Sequence, residues 1–355
     1  MDYRCDIVVL TWNQKDVIKS FVESFLENTQ INCRLIIVAN GCTDGTPEYL
    51  AALKDTPNCS FKILVNRENN GFVGAMNQGI ELADAPYVCL ANNDLLFTPG
   101  WLEEIISVFE SNAKIGLLNP NSNNLGLRPA QGESLQSVAA KLKQEKSGFF
   151  IEMPFCIGFC MFIRREVIAK IGGLSREFYP AFFEDTDYSL RAANAGFLIG
   201  TAAGAYVWHK EHGHFNRTGK EEREALFAKS RETFTRKWGK TLRIAWVANN
   251  YQEAFDNLSA GIELARQANF ITFYVRDTDI SRRDIFKAKA AFEHSGVQFK
   301  SFHSYVGLIW NIVIKKKKFD LVICKDSPLS RILKALGSRT AVYPDNALLS
   351  ALKKL

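Results

Sequence analysis

Three short groups of polar residues in this 355-residue chain have types and spacing suited to chemistry. The first is Asn92-Asn93-Asp94, which follows the apolar run Tyr87-Val88-Cys89-Leu90-Ala91 and so lies at the carboxyl end of a predicted parallel strand. Ligands of open α/β sheets bind at such strand ends. A carboxylate there, with an amide two residues before it on the same side of an extended chain, suits a hard divalent cation that also holds diphosphate oxygens. Read alone, the triplet equally fits a helix N-cap or an Asx turn before Leu95.

The second group is Glu184-Asp185-Thr186-Asp187, directly after Phe182-Phe183. Three carboxylates so close repel one another unless a cation, an arginine or a shared proton compensates them, and the crowding raises at least one pKa. A carboxylate tuned in this way becomes an effective general base. The competing reading is an acidic first turn of a helix that ends near Gly196. The third group is His209, at the end of a strand-like run, with His212 and His214 close behind. A zinc site would need a further ligand from elsewhere. A single histidine at a strand end that helps bind a metal or a diphosphate is the simpler expectation, beside that of an ordinary surface histidine.

These groups need a scaffold, and the first 120 residues supply its rhythm. Short, nearly continuous apolar runs at 6–11, 34–39, 61–65 and 87–91 alternate with helical segments, as in a parallel sheet covered on both faces. The turns Asn40-Gly41-Cys42-Thr43-Asp44-Gly45 and Asn69-Asn70-Gly71-Phe72-Val73-Gly74 precede helices and suit ribose or anion binding, although neither is a GxGxxG fingerprint. Residues 120–148 read as a long polar loop with one short helix, of the kind that is often functional. A charged helix at 221–238 links to a second alternating series from about 242, with five predicted strands and four crossovers, a Rossmann-like unit. The expected domains are therefore 1–239 and 240–355.

Composition agrees with a large folded α/β protein: 47% of residues are apolar and 23% charged. The net charge of +6 is unevenly spread, with residues 1–239 near neutral and residues 240–355 strongly basic. Eight cysteines without a framework spacing suit a reducing cytosol. No apolar stretch reaches bilayer length and the first residues lack a signal-peptide core, so the expected location is cytoplasmic. The run 305–314, followed by Lys315 to Lys318, fits either a core-facing helix or peripheral contact with an anionic membrane at its inner face.

In their order along the chain, these pieces resemble glycosyltransferase family 2 with the GT-A fold, particularly its bacterial rhamnosyltransferase-like branch. The matching segments are IVVLTWN (7–13), IIVANGCTDGT (36–46), NRENNGFVGAMNQG (66–79), LANNDLLFTPG (90–100), GFCMFIRREVIAKIGG (158–173), FEDTDYSLR (183–191) and VWH (207–209). The resemblance implies an inverting, metal-dependent enzyme that moves a sugar from a nucleoside-diphosphate donor to a saccharide or lipid-linked acceptor in surface polysaccharide synthesis. It implies Asp94 and His209 at a divalent metal, Mg2+ or Mn2+. It places Asp185 as the base beside Glu184, and Thr11, Asn13, Asn40, Asp44, Asn70, Asn77 and Asn92 around the nucleotide sugar. Ala39 and Asn92 depart from the family pattern, which keeps open a catalytically lost nucleotide-sugar-binding scaffold. The loop 120–148 and the aromatics from Phe178 to Phe183 are expected to close over the acceptor. The second unit resembles the N-terminal lobe of a GT-B glycosyltransferase, as in a piece of a longer bifunctional protein.

Overall fold

The structure is a computed structural model, and it describes residues 2–211, 219–276, 294–314, 319–325 and 327–343. The chain divides into two compact units, one formed by Met1–Ile151 with Phe155–Phe234 and the other by Glu152–Pro154 with Thr235–Leu355.

The first unit opens with three βα repeats: β1 (Cys5–Thr11), α1 (Lys15–Asn28), β2 (Cys33–Asn40), α2 (Thr46–Ala51), β3 (Cys59–Asn66) and α3 (Gly71–Leu82). It continues through β4 (Tyr87–Ala91), β5 (Leu95–Phe97), α4 (Trp101–Ser111), β6 (Ile115–Asn121), α5 (Leu135–Lys146) and β7 (Phe150–Glu152). It closes with β8 (Cys160–Arg164), α6 (Arg165–Ile171), α7 (Glu184–Asn194), β9 (Leu198–His209) and the start of α8 (Lys220–Trp238). The strand order is β3-β2-β1-β4-β8-β6-β9-β5, with β7 beside β9. The first four strands are parallel; β8 then runs antiparallel to both β4 and β6.

The predicted apolar runs become the central strands because helices cover both faces, and every residue of β1 and β4 is buried. Helix α3 lies so close to β1 that a Cβ on Gly79 would meet Val8 at 2.1 Å, so this contact accepts only glycine. Two elements depart from the expected pattern. The three-residue strand β5 is not among the predicted runs, and the one short helix expected within 120–148 is the twelve-residue α5. The buried side chains of α5, Val138, Ala139 and Leu142, pack with Tyr206 of β9, so this helix is fixed to the sheet and is not a free flap.

The second unit contains β10 (Arg243–Ala248), α9 (Tyr251–Asp256), α10 (Leu258–Ala265), β11 (Phe270–Arg276), β12 (Val297–Phe302), α11 (Tyr305–Ile309), β13 (Leu321–Lys325), α12 (Pro328–Ala335) and β14 (Thr340–Tyr343). Its sheet is wholly parallel in the order β12-β11-β10-β13-β14, which is the expected Rossmann-like arrangement. Residues 277–293, where a helix between β11 and β12 is expected, and the lysines 315–318 lie outside the described residues. Among the described residues no helix is long and apolar enough to cross a membrane.

Candidate active site

A cavity of about 1000 Å3 opens at the carboxyl ends of the parallel strands of the first unit. Asn92, Asn93 and Asp94 reach it from the end of β4, and His209 reaches it from the end of β9. The short β5 brings them together. It pairs antiparallel with β9, so that Leu95 lies opposite His209, and the next backbone bond runs from Lys210 N–H to Asp94 O. Phe97 anchors this strand by packing edge-on against Phe21 and Phe25 and by stacking obliquely on Trp101. The Asp94 Oδ1 atom sits 2.9 Å from His209 Nε2, yet it is buried and no hydrogen bond is aligned with it.

An orphaned buried carboxylate oxygen beside an imidazole nitrogen is the donor chemistry a divalent cation takes, so the residues present fit the metal implied by the resemblance. Among the described residues no group of three or more His, Cys, Asp or Glu side chains gathers for a metal. The protein therefore offers Asp94 and His209, with the amide of Asn92 3.3 Å from Nε2, and leaves other positions to ligand oxygens and water. His212 and His214 lie outside the described residues.

Facing this pair, the first turn of α7 presents Glu184 and Asp185 to the same cavity. The two residues before the helix, Phe182 and Phe183, both have φ in the left-handed region, at 76° and 65°. Two consecutive aromatics there store strain that the surroundings must hold, as is common at functional sites. The holding contacts come from α8: Phe227 packs on both rings, Phe234 packs on Phe183, and Ser230 Oγ donates to Ala181 O.

The two carboxylates differ in environment. Asp185 accepts from Gly158 N–H at 2.8 Å on one oxygen and from Thr186 N–H at 2.6 Å on the other, which stabilises its ionised form although burial pushes its pKa up. Glu184 has a buried Oε2 with no partner, and burial, then the charge of Asp185, push its carboxyl up to about 8. Of the two, Glu184 is the one its surroundings push toward the protonated form, and Asp185, with its backbone N–H donors, is the better stabilised as an anion. Asp187 is fully buried and bonded at 2.9 Å to Arg191, whose other nitrogens donate to Ile171 O and Gly173 O. This third carboxylate ties α7 to the preceding turn.

The residues expected around the nucleotide separate into two groups. Asn40 and Asn92 line the cavity; Thr11, Asn13, Asp44, Asn70 and Asn77 do not. Asn40 organises the turn before α3: its amide donates to Asn69 Oδ1 and Gly71 O, and its oxygen accepts from Asn66 Nδ2 and Asn70 N–H. Thr11 accepts from the Asn93 amide and Asn13 accepts from Thr43 N–H, so both shape the floor. Asp44 accepts from Thr46 and Lys15 N–H groups; burial works to raise its pKa, and these bonds outweigh it and hold it low. Asn77 exchanges two bonds with the Leu174 backbone, fastening α3 to the segment after α6.

Sequence reasoning missed part of the wall. The helix read as a linker turns Glu222, Ala225, Leu226 and Lys229 toward the cavity, at the i, i+3, i+4, i+7 spacing of one helix face. That spacing is visible in the sequence, but the residues are too mixed in character to mark a face as buried. Trp12, Asn124 and Tyr179 are further lining residues. Gly71, with φ of 66°, lets Tyr179 and Pro180 approach, since a Cβ there would meet Pro180 at 2.8 Å.

Residues 6–172 match the sequence model of the family described as "Glycosyl transferase family 2". The N-acetylglucosaminyl-diphospho-decaprenol L-rhamnosyltransferase of Mycobacterium tuberculosis is 23% identical over 260 residues, covering 64% of this chain and 82% of that protein. An uncharacterized protein of Sinorhizobium fredii, y4gI, is 22% identical over 247 residues, covering 65% of this chain and 27% of its own length. An uncharacterized glycosyltransferase of Haemophilus influenzae is 27% identical over 109 residues, 31% of this chain and 33% of that protein. The match thus spans only about a quarter to a third of the length of the last two relatives. Among solved structures, the mannosyltransferase PcManGT from Pyrobaculum calidifontis, in complex with GDP-Man and Mn2+, is similar with a TM-score of 0.48 at 16% identity, over 76% of this chain and 85% of that one. S. aureus TarS 1-349 gives a TM-score of 0.46 at 12% identity, over 66% and 72% of the two chains.

Proposed function

With a glycosyl transferase family 2 domain over residues 6–172, this chain is a family 2 glycosyltransferase, and on that premise we propose that it moves a sugar from a nucleoside diphosphate to an acceptor hydroxyl with inversion. The observation that carries the reading is the convergence of Asp94 and His209 on one side, and Glu184 and Asp185 on the other, on a single cavity of about 1000 Å3. Its ionisable lining is predominantly acidic. Besides the protonated Glu184, Asp94, Asp185, Glu211 and Glu222 stand against Lys229, the one ammonium group among the described residues that line it. A diphosphate is disfavoured in such a field unless a cation accompanies it.

Asp94 and His209 would hold that cation, Mg2+ or Mn2+, which when bound supplies positive charge against the diphosphate oxygens. Asp185 takes the proton of the acceptor hydroxyl as the oxygen bonds to the anomeric carbon and the bond from that carbon to the diphosphate oxygen breaks. Attack opposite the leaving group inverts the anomeric centre, and the help of a general base is typically worth about 10² to 10⁴ in rate. Glu184 keeps its proton and so leaves Asp185 as the sole anion of the pair. Asn40 and the turn it braces form the nucleotide end of the cavity, and Tyr179, Phe182 and the inner face of α8 form the acceptor end.

The rhamnosyltransferase relative carries a lipid-linked diphosphate in its name. A lipid-linked or saccharide acceptor at the inner face of a membrane, reached through the basic residues 240–355, is accordingly the reading for this chain. The test is a panel of nucleotide sugars assayed for nucleoside diphosphate release with and without Mg2+ or Mn2+. Metal-dependent release from one donor, increased by an acceptor, supports the proposal. Donor binding with no turnover under any of these conditions would favour the scaffold reading.

A further inference from the structure

As a sequence, the run 305–314 suits either the core or a membrane surface, and in the structure it is apolar on both sides. Helix α11 and the π-helical turn that continues it, Trp310–Ile314, direct Leu308 and Ile312 into the core of the second unit. The other side leaves Val306 79% and Trp310 58% exposed, with Tyr305 partly exposed beside them. A helix apolar on both sides needs cover on both. The neighbouring helix extends the uncovered surface. Tyr305 and Ile309 share a cavity of about 230 Å3 with Ile332 of α12, and Ile332 and Leu336, one turn apart, are both about half exposed.

The charge around these side chains is largely of one sign. Arg276 lies over the Tyr305 ring, 5.1 Å from its centroid. Lys325, paired with Glu253, lines the same cavity, and the exposed Arg331 and Lys334 flank Ile332 in α12. Of the described residues from 300 to 339, five are Lys or Arg and one, Asp320, is acidic and already paired with Lys240. Two copies of the chain meeting through this surface would bring like charges together, which disfavours a second copy as its cover. An anionic bilayer offers an apolar interior and the opposite charge at once.

We propose that Tyr305, Val306 and Trp310, with Ile332 and Leu336, form the surface by which the second unit docks on an anionic bilayer. The apolar side chains enter the headgroup boundary and the surrounding cations meet lipid phosphates. Trp and Tyr suit that boundary because each has an apolar ring and a polar edge. A few apolar side chains alone hold a protein to a bilayer only marginally, and the attraction of cations to anionic lipid makes the association firm. This inference rests on the reading of a membrane-borne acceptor and assigns it a defined face.

The test uses the full chain with vesicles of phosphatidylcholine, with and without phosphatidylglycerol. The wild type should sediment with the anionic vesicles, and bromine placed on the lipid chains near the headgroups should quench part of its tryptophan emission through Trp310. Val306→Asp combined with Trp310→Ser should lower partitioning by about 10-fold or more and remove that quenching. Val65→Ser, which deletes an exposed apolar side chain from β3 in the first unit, should change neither. Equal binding by the wild type and the folded double variant, or sedimentation of the wild type without quenching, overturns the assignment of this face and leaves the membrane reading standing. Failure of the wild type to bind anionic vesicles removes both. A wild-type dimer that the double variant loses, with no vesicle binding by either, overturns the proposal in favour of a second copy. If the double variant does not fold, quenching in the wild type decides.

Discussion

Glu184→Gln keeps the size and shape of a protonated glutamic acid and removes only its capacity to ionise. In the folded protein that carboxyl is pushed from the ordinary 4.5 up to about 8, first by burial and then by Asp185. Between those values the folded state holds a proton that the unfolded chain has released, so wild-type stability falls as pH rises through the window. Each unit is worth about 1.4 kcal/mol, which sets an upper limit of about 5 kcal/mol across it. The variant lacks this contribution. It should match the wild type below about pH 4 and exceed it in stability above pH 8, by an amount approaching that limit. Urea unfolding midpoints of the two proteins across this range measure the difference, and contributions from groups distant from Glu184 cancel. Turnover should survive near neutral pH, because Asp185 is the proton acceptor. Parallel stability curves would refute the assignment of the proton to Glu184, and a loss of turnover of 10² or more would transfer the role of base to it.

Asp185→Asn should leave donor affinity near the wild-type value and cut turnover by about 10² or more, measured as sugar transfer at saturating donor. Asp94→Ala should abolish the increase in nucleoside diphosphate affinity on adding Mn2+, followed by calorimetry; an undiminished increase would remove Asp94 from the cation site. Asn77→Ala loses two bonds between α3 and Leu174 and should cost about 1 to 3 kcal/mol in unfolding free energy with an unchanged KM for the donor. A raised KM at unchanged stability would return Asn77 to the nucleotide pocket. The full chain should co-sediment with vesicles rich in anionic lipid and be released as salt is raised, and equal binding to neutral vesicles would defeat the electrostatic reading.

The repeating architecture and the chemical groups are legible in the amino-acid sequence alone. Strands such as Leu35–Val38 and Val88–Ala91 are continuous apolar runs because helices bury both faces, and that pattern is local in sequence. Asp94 and His209 stand out in the same way, each as a polar residue ending such a run. The three residues of β5 do not, because Leu95–Phe97 is too short to show a period, and its pairing with β9 joins residues more than a hundred positions apart. That pairing is what places Asp94 beside His209. Nor does the sequence distinguish Asp185 from Asp187: two positions along a helix are about 200° apart, so they point to opposite sides, and nothing local says which side is the cavity. Tertiary packing decides it, by giving Asp187 to Arg191 and Asp185 to Gly158. The cavity wall on α8 is of the same kind. A residue's type limits the chemistry it can do, but whether that chemistry is used depends on neighbours brought in from distant segments, and those meet only when the chain has folded.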